Sequence, residues 1–238
     1  MEQRIFTGII SAMQNEIDLL LGEAKIERVE SIGGVDYHVG TLCGSDVVIA
    51  KAGIGKVMAS SGMTAMICNF KLSRVLFTGI AGGVGNDTKV LDQVIATSLV
   101  QHDFGQYTRE GFDWIPGFEG ESGYYDCDPE LVQLAYDSAV KVLGAEHVFK
   151  GIIASGDQFI ASESQVERLQ KDFNAIACEM EGASVAMVCS KYHIPFVVIR
   201  AMSDKADGNA HESYDNMAAI AGDHSCRTVM EILKAFAK

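Results

Sequence analysis

The chain has 238 residues, 48% apolar and 21% charged, and its 19 Lys+Arg against 32 Asp+Glu leave a formal charge of −13. A chain of this length buries about 70% of its surface on folding, enough for a core without a metal or disulfide staple. The composition is that of a globular protein, not a disordered or fibrous one. The acidic balance, with no run of Lys or Arg, excludes nucleic acid as a partner, and no apolar stretch approaches the ~20 residues of a spanning helix.

In chain order, Ile5–Ser11 reads as a buried strand and Met13–Leu21 as an amphipathic helix, with Met13, Ile17, Leu20 and Leu21 on one face. The start has no signal-peptide pattern. Strand patterns follow at Tyr37–Leu42 and Asp46–Ala50. A helix from Val57 to about Asn69 leads into a strand at Arg74–Thr78, the run Gly79-Ile80-Ala81-Gly82-Gly83 and a strand near Gln93–Leu99. Residues 103–128 read as a loop. Then come a helix Pro129–Leu143 with Pro in its first turn, a strand Val148–Ala154, a helix Glu163–Lys171, a strand Ala175–Cys178 and a helix Gly182–Lys191. A strongly apolar strand Phe196–Met202 and a terminal helix from about Tyr214 close the chain. The alternation predicts one α/β domain over residues 1–238, a three-layer α/β/α sandwich with a central mixed sheet. The six cysteines are scattered, with no CxxC pair, which suits reduced thiols in the cytoplasm.

Ligands of such sheets sit beyond the carboxyl ends of the strands, so the polar residues there matter most. Glu16, after the first strand, is either a charge favourable to a helix start or a site carboxylate. Glu179 and Glu181 follow a short apolar strand, and one of them is expected to face the crevice. Arg200 interrupts Phe196-Val197-Val198-Ile199 and must be paired if buried; Glu16 or Glu181 is the natural partner. Asp204, beside Ser203, is a turn former or a half-buried acid with a raised pKa. Phe159, in Ser155-Gly156-Asp157-Gln158-Phe159-Ile160, is a core plug or a stacking platform. Gly53-Ile54-Gly55-Lys56 fails the P-loop pattern at Ala50 and Val57, no GxGxxG is present, and the six His stand apart with no HExxH. No cofactor or metal is implied.

Six segments recur in a fixed order: Gly8-Ile9-Ile10-Ser11-Ala12-Met13-x-x-Glu16, Gly53-Ile54-Gly55-Lys56-Val57, Thr78-Gly79-Ile80-Ala81-Gly82-Gly83, Ser155-Gly156-Asp157-x-Phe159-Ile160, Glu179-Met180-Glu181 and Arg200-Ala201-Met202-Ser203-Asp204. Ser213-Tyr214-Asp215 extends the match. Together they resemble the methylthioadenosine/S-adenosylhomocysteine nucleosidases of the nucleoside phosphorylase-like superfamily. The resemblance implies hydrolysis of the N-glycosidic bond of 5′-thioadenosines, with Glu16 activating water and Asp204, oriented by Ser203, protonating adenine N7. It implies that Arg200 lies near the attacking water and that Glu181, beside Met180 and Glu179, takes the ribose hydroxyls. Phe159 would stack on adenine, the Ile160 backbone would read its amino edge, and Met13, Ile54 and Tyr214 would wall the alkylthio pocket. A homodimer is implied as well.

Two departures stand out. Ile80 replaces the Ser of many members and removes a hydroxyl from the water site. The loop His102–Gly117, which in the family adds pocket wall across the dimer, aligns poorly, with Phe104, Tyr107, Phe112 and Pro116 as candidate wall residues. A phosphorylase on the same fold would need Arg or Lys converging on phosphate, and the segments 11–16 and 76–79 contain none. A futalosine-type nucleosidase shares the chemistry and stays open as an alternative; a purine-binding sensor would lack the acid or the base.

Overall fold

The computed structural model describes residues 4–117 and 122–237. The elements in order are β1 (Phe6–Ser11), a 3₁₀ turn (Gln14–Glu16), α1 (Asp18–Glu23), β2 (Lys25–Ile32), β3 (Val35–Leu42), β4 (Ser45–Lys51), α2 (Lys56–Asn69), β5 (Leu72–Gly83) and β6 (Gln93–Gln101). The second half holds β7 (Gly105–Thr108), β8 (Gly111–Trp114), β9 (Tyr124–Asp126), α3 (Pro129–Leu143), β10 (Val148–Ser155), α4 (Glu163–Phe173), β11 (Ala175–Glu179), α5 (Gly182–Lys191), β12 (Phe196–Asp204) and α6 (Ala210–Phe236).

The expected mixed sheet is present. Its order is β11-β10-β6-β12-β5-β1-β4-β3-β2, with β9 added beside β6. Strands β4, β1, β5 and β12 run parallel, as do β6, β10 and β11, while β6 and β12 meet antiparallel. Every residue of β1 and β12 is buried, which is why both are largely apolar on both faces: helices cover both faces of interior parallel strands. Helices α2 and α5 pack together, and α3 packs with α6. Ile9, Ile10, Ile49, Leu76, Phe77 and Val197–Ile199 form the centre of the core, each at most 1% exposed.

Strand β5 extends past the expected Thr78 to Gly83, so Gly79-Ile80-Ala81-Gly82-Gly83 is strand, not turn. Its last residues also pair antiparallel with β11, Gly82 opposite Cys178 and Gly83 opposite Ala177. Through this second partnership β5, β12, β6, β10 and β11 close into a ring, which gathers their ends around one crevice.

Four expectations change. Met13–Leu21 is not one helix: the 3₁₀ turn breaks at Ile17 before α1, because the Glu16 carboxylate bonds back to the Ala12 and Met13 amides and ties the chain into a tight turn. Lys25–Ile32 is an added strand at the sheet edge, paired with β3 and mostly solvent-facing, so its apolar alternation is faint. The stretch 103–128 contains the β7–β8 hairpin and β9; its residues 118–121 lie outside the described residues. The terminal helix starts at Ala210, a turn before Tyr214. Among the described residues, no helix is long and apolar enough to cross a membrane.

Helix α3 begins as its sequence requires: Asp128 accepts from the Leu131 amide at 2.9 Å and Pro129 fills the first position. Asp128→Ala is expected to cost about 1 kcal/mol, read as a lowered midpoint in urea denaturation.

Candidate active site

A cavity of about 270 Å³ opens where β1, β5, β11 and β12 end, and Glu16, Asp204, Glu179 and Glu181 all line it. Of the predicted residues, Met13, Ile54, Phe159, Ile160, Met180, Ser203 and Tyr214 line it too. Arg200 alone does not; its side chain, 1% exposed, lies behind the wall.

Glu16 is 3% exposed and held by four donors. Ser11 Oγ, Ala12 N and Met13 N donate to Oε2 at 2.5, 3.1 and 2.8 Å, and Ile80 N donates to Oε1 at 2.9 Å. The helix-start reading of Glu16 therefore gives way to that of a buried carboxylate at the cavity, oriented by its four donors.

Asp204 sits in the opposite environment. Burial pushes its pKa up from the ordinary carboxyl value, against the Ser203 hydroxyl at 2.8 Å and the Ala206 amide at 2.7 Å, which pull it down. Of its two readings, the buried acid with a raised pKa fits this environment.

Arg200 departs from its expected pairing. Its Nη2 meets Glu179 Oε2 at 2.6 Å, whereas Glu181 is 4.0 Å away. Glu179 is fully engaged: Ser155 Oγ donates to one oxygen, and the Glu181 and Gly182 amides reach the carboxylate at 2.7–3.1 Å. The ring closure of β5 with β11 brings the end of β11 beside β12, and this long-range contact is invisible in the residue pattern. The guanidinium also stacks over Phe77 at 4.0 Å.

Glu181 is the less tightly held carboxylate. Gly55 N donates to its Oε1 at 2.8 Å. Burial, reinforced by the neighbouring Glu179, pushes its pKa up to about 8 despite Arg200 and the Gly55 amide.

Glycines shape this site by close approach. A Cβ on Gly79 would lie 2.5 Å from Arg200 Nη1 and 2.6 Å from Glu16 Oε1, and one on Gly82 would lie 2.9 Å from Asp204 Oδ1. Arg200 Nη1 and Nε have no hydrogen-bond partner among the described residues, and Nη1 and the Glu16 carboxylate both pack against the Cα of Gly79.

Phe159 is 42% exposed and stacks on His211, with centroids 4.6 Å apart and planes at 23°, while Tyr214 meets it edge-on. The core-plug reading is thus overturned. His211 was missed; the signal was its place one turn before Tyr214 on the same helix face. Gln158 and Asp215 also line the cavity unforeseen. Ile80 contributes an apolar wall, packed with Ala201 and Ala218 beside Met13 and Tyr214. None of Phe104, Tyr107, Phe112 and Pro116 lines the cavity within the chain.

Two outcomes are expected from this geometry. Gly79→Ala, whose Cβ would meet the buried Arg200 Nη1 and Glu16 Oε1 at 2.5 and 2.6 Å, should destabilise the fold by roughly 1–3 kcal/mol, read as a lowered midpoint in urea denaturation. For Glu181 the folded state retains a proton that the unfolded chain releases above its ordinary 4.5. Its contribution to stability is therefore complete below that value and lost as pH rises through about 8. Denaturation at pH 5 and pH 8.5 should show a smaller loss of stability in Glu181→Gln than in the parent.

The family model of the phosphorylase superfamily matches residues 7–234. A 5′-methylthioadenosine/S-adenosylhomocysteine nucleosidase of Shewanella denitrificans is 36% identical over 227 residues, 95% of this chain and 97% of the relative. An aminodeoxyfutalosine nucleosidase of Helicobacter pylori is 38% identical over 232 residues, 96% of each chain. The crystal structure of the Neisseria meningitidis 5′-methylthioadenosine/S-adenosylhomocysteine nucleosidase in complex with methylthio-immucillin-A superposes with a TM-score of 0.87 at 36% identity, covering 97% of this chain and 99% of that one. The chain belongs to the phosphorylase superfamily and, within it, to the family of the 5′-methylthioadenosine/S-adenosylhomocysteine nucleosidases, hydrolases of the N-glycosidic bond.

Proposed function

We propose that this protein hydrolyses 5′-thioadenosines, methylthioadenosine and S-adenosylhomocysteine, to adenine and the corresponding thioribose. One observation carries the reading: two carboxyl groups share a cavity but sit in opposed environments, Glu16 surrounded by donors and Asp204 raised by burial. Cleaving an N-glycosidic bond develops positive charge on the ribose and negative charge on the base, so a carboxylate must serve the sugar side and an acid the base side.

In the mechanism, Glu16 accepts a proton from a water in the cavity, and the water oxygen bonds to C1′. The C1′–N9 bond breaks, and Asp204 passes its proton to N7, so that neutral adenine leaves. Glu181 takes the ribose hydroxyls, Phe159 stacks on the base and the Ile160 backbone reads its amino edge. Met13, Ile54, Ile80 and Tyr214 form the apolar wall for the 5′ substituent. The hydroxyl absent at Ile80 leaves the water to Glu16, with Arg200 behind the wall.

Phosphate as the nucleophile is disfavoured, since no Lys or Arg lines the cavity among the described residues. The Gly53-Ile54-Gly55-Lys56 helix start, which superficially suits phosphate, is taken up by the carboxylates of Glu181 and Asp157. A second reading, a futalosine-type nucleosidase, is favoured by the Helicobacter pylori relative. It differs only in the 5′ substituent.

The reading places the enzyme in methionine salvage and in recycling of S-adenosylmethionine by-products. It also places it in the cytoplasm, where its six free cysteines stay reduced. A homodimer is part of the proposal. Ile54, Val57, Met58, Phe104 and Tyr107 are all exposed, an apolar set suited to receive a partner's loop.

Adenine release from methylthioadenosine should proceed equally with and without phosphate and faster than cleavage of futalosine analogues; strict phosphate dependence would overturn the hydrolytic reading. Asp204→Asn should cost roughly 10²–10⁴ in kcat with its fold intact, and near-normal turnover would remove Asp204 from the mechanism.

A further inference from the structure

Helix α2 opens onto two carboxylates from distant parts of the chain. The Gly55 amide donates to Glu181 Oε1 and the next amide, that of Lys56, donates to Asp157 Oδ1, both at 2.8 Å. The positive end of the helix dipole favours anions there. The Lys56 side chain turns the other way, and its Nζ meets Asp103 Oδ1 at 2.6 Å. The remaining oxygen of Asp103 accepts from the Asp157 amide at 2.8 Å. Lys56, Asp103 and Asp157 thus close a circuit that joins the loops following β4, β6 and β10.

These loops carry the cavity rim. Ile54 lies in the first and Gln158, Phe159 and Ile160 in the third, while Gly55 holds Glu181. Lys56 and Asp103 do not line the cavity. Their side chains are 15% and 17% exposed, so solvent screens the pair less than a surface bridge. Burial tends to raise the Asp103 pKa, but the Lys56 ammonium and the Asp157 amide outweigh it and hold the carboxyl below its ordinary range. The circuit also constrains the backbone. Gly55 has φ +91° and leaves only 3.1 Å between its would-be Cβ and Asp157 Oδ1, so a side chain there would be strained and crowded.

We propose that Lys56 and Asp103 are positioning residues of the nucleoside site: their ion pair presets the three rim loops, aiming Glu181 through Gly55 and holding Phe159 over the cavity before substrate arrives. The inference rests on the reading of this cavity as a thioadenosine site. A preset rim removes the cost of ordering loops on binding. It acts on ground state and transition state alike, so its loss appears in KM and not in kcat.

The experiment uses Lys56→Met, Asp103→Asn and the double variant, with methylthioadenosine kinetics and amide hydrogen exchange on the ligand-free protein. Each single variant should raise KM about tenfold, the equivalent of ~1.4 kcal/mol, with kcat within about twofold of the parent. The double variant should be no worse than either single one, because the two residues act as one pair. Exchange at residues 55–57 and 157–160 should accelerate while β5 and β12 stay protected, and Lys56→Arg should restore KM. An unchanged KM, a loss confined to kcat, or multiplied effects in the double variant would overturn the clamp. A parent that cleaves no thioadenosine refutes the functional reading instead. The clamp is then judged by exchange alone, and unaltered exchange at the rim overturns it.

Discussion

A guanidinium that is 1% exposed must be neutralised where it lies, and the neutralisation of Arg200 by Glu179 organises this site. Removing one member of a buried pair leaves an uncompensated charge at a cost of about 3–5 kcal/mol, so β11 and β12 are bound to one arrangement. Glu179 then accepts from the Glu181 and Gly182 amides, which sets where α5 begins and turns Glu181 toward the cavity. Arg200 spends one arm of its fork on this pair. The other arm faces the space over Gly79 and the Glu16 carboxylate.

The cavity sets one residue type in opposed environments. Glu16, Asp204 and Glu181 are all carboxyls within one enclosure, and their chemistry diverges only through their neighbours. Glu16 has four hydrogen-bond donors. Asp204 has two, set against burial. Glu181 has one amide, an acidic neighbour and a more distant Arg. The −13 charge of the chain is mostly solvated surface, yet its acidic bias extends into the cavity wall, where no Lys or Arg accompanies it among the described residues. Such a wall receives water and a neutral nucleoside more readily than a phosphate dianion.

The glycines fall into two physical kinds. Gly53 and Gly55 adopt positive φ and shape the turn into α2. Gly79 and Gly82 are ordinary strand residues that matter because Arg200, Glu16 and Asp204 pack against their Cα atoms. Both kinds bring backbone close to the cavity, but only the first is a conformational requirement.

Much of this was legible in the residues. The unbroken apolar run Phe196–Ile199 and the shorter apolar stretch around Ile9 and Ile10 marked interior strands, because burial on both faces favours apolar residues at successive positions. The strand-end segments left Glu16 and Asp204 with two readings each and expected one of Glu179 and Glu181 at the crevice; the family resemblance gathered them into one site. The partner of Arg200 was not legible. Glu179 reaches it only because β5 pairs with β11 as well as β12, and a second pairing of one strand leaves no periodicity behind. Nor did helical spacing reveal the 3₁₀ turn at Glu16, since a carboxylate bonding back to its own chain outweighs amphipathic pattern in so short a segment. The chain's composition and order therefore determined an α/β sheet with acidic strand ends. Tertiary closure decided which carboxylate pairs with Arg200 and where Glu181 is held, because Arg200 and Ser155 lie 21 and 24 residues from Glu179, and Gly55 lies 126 from Glu181.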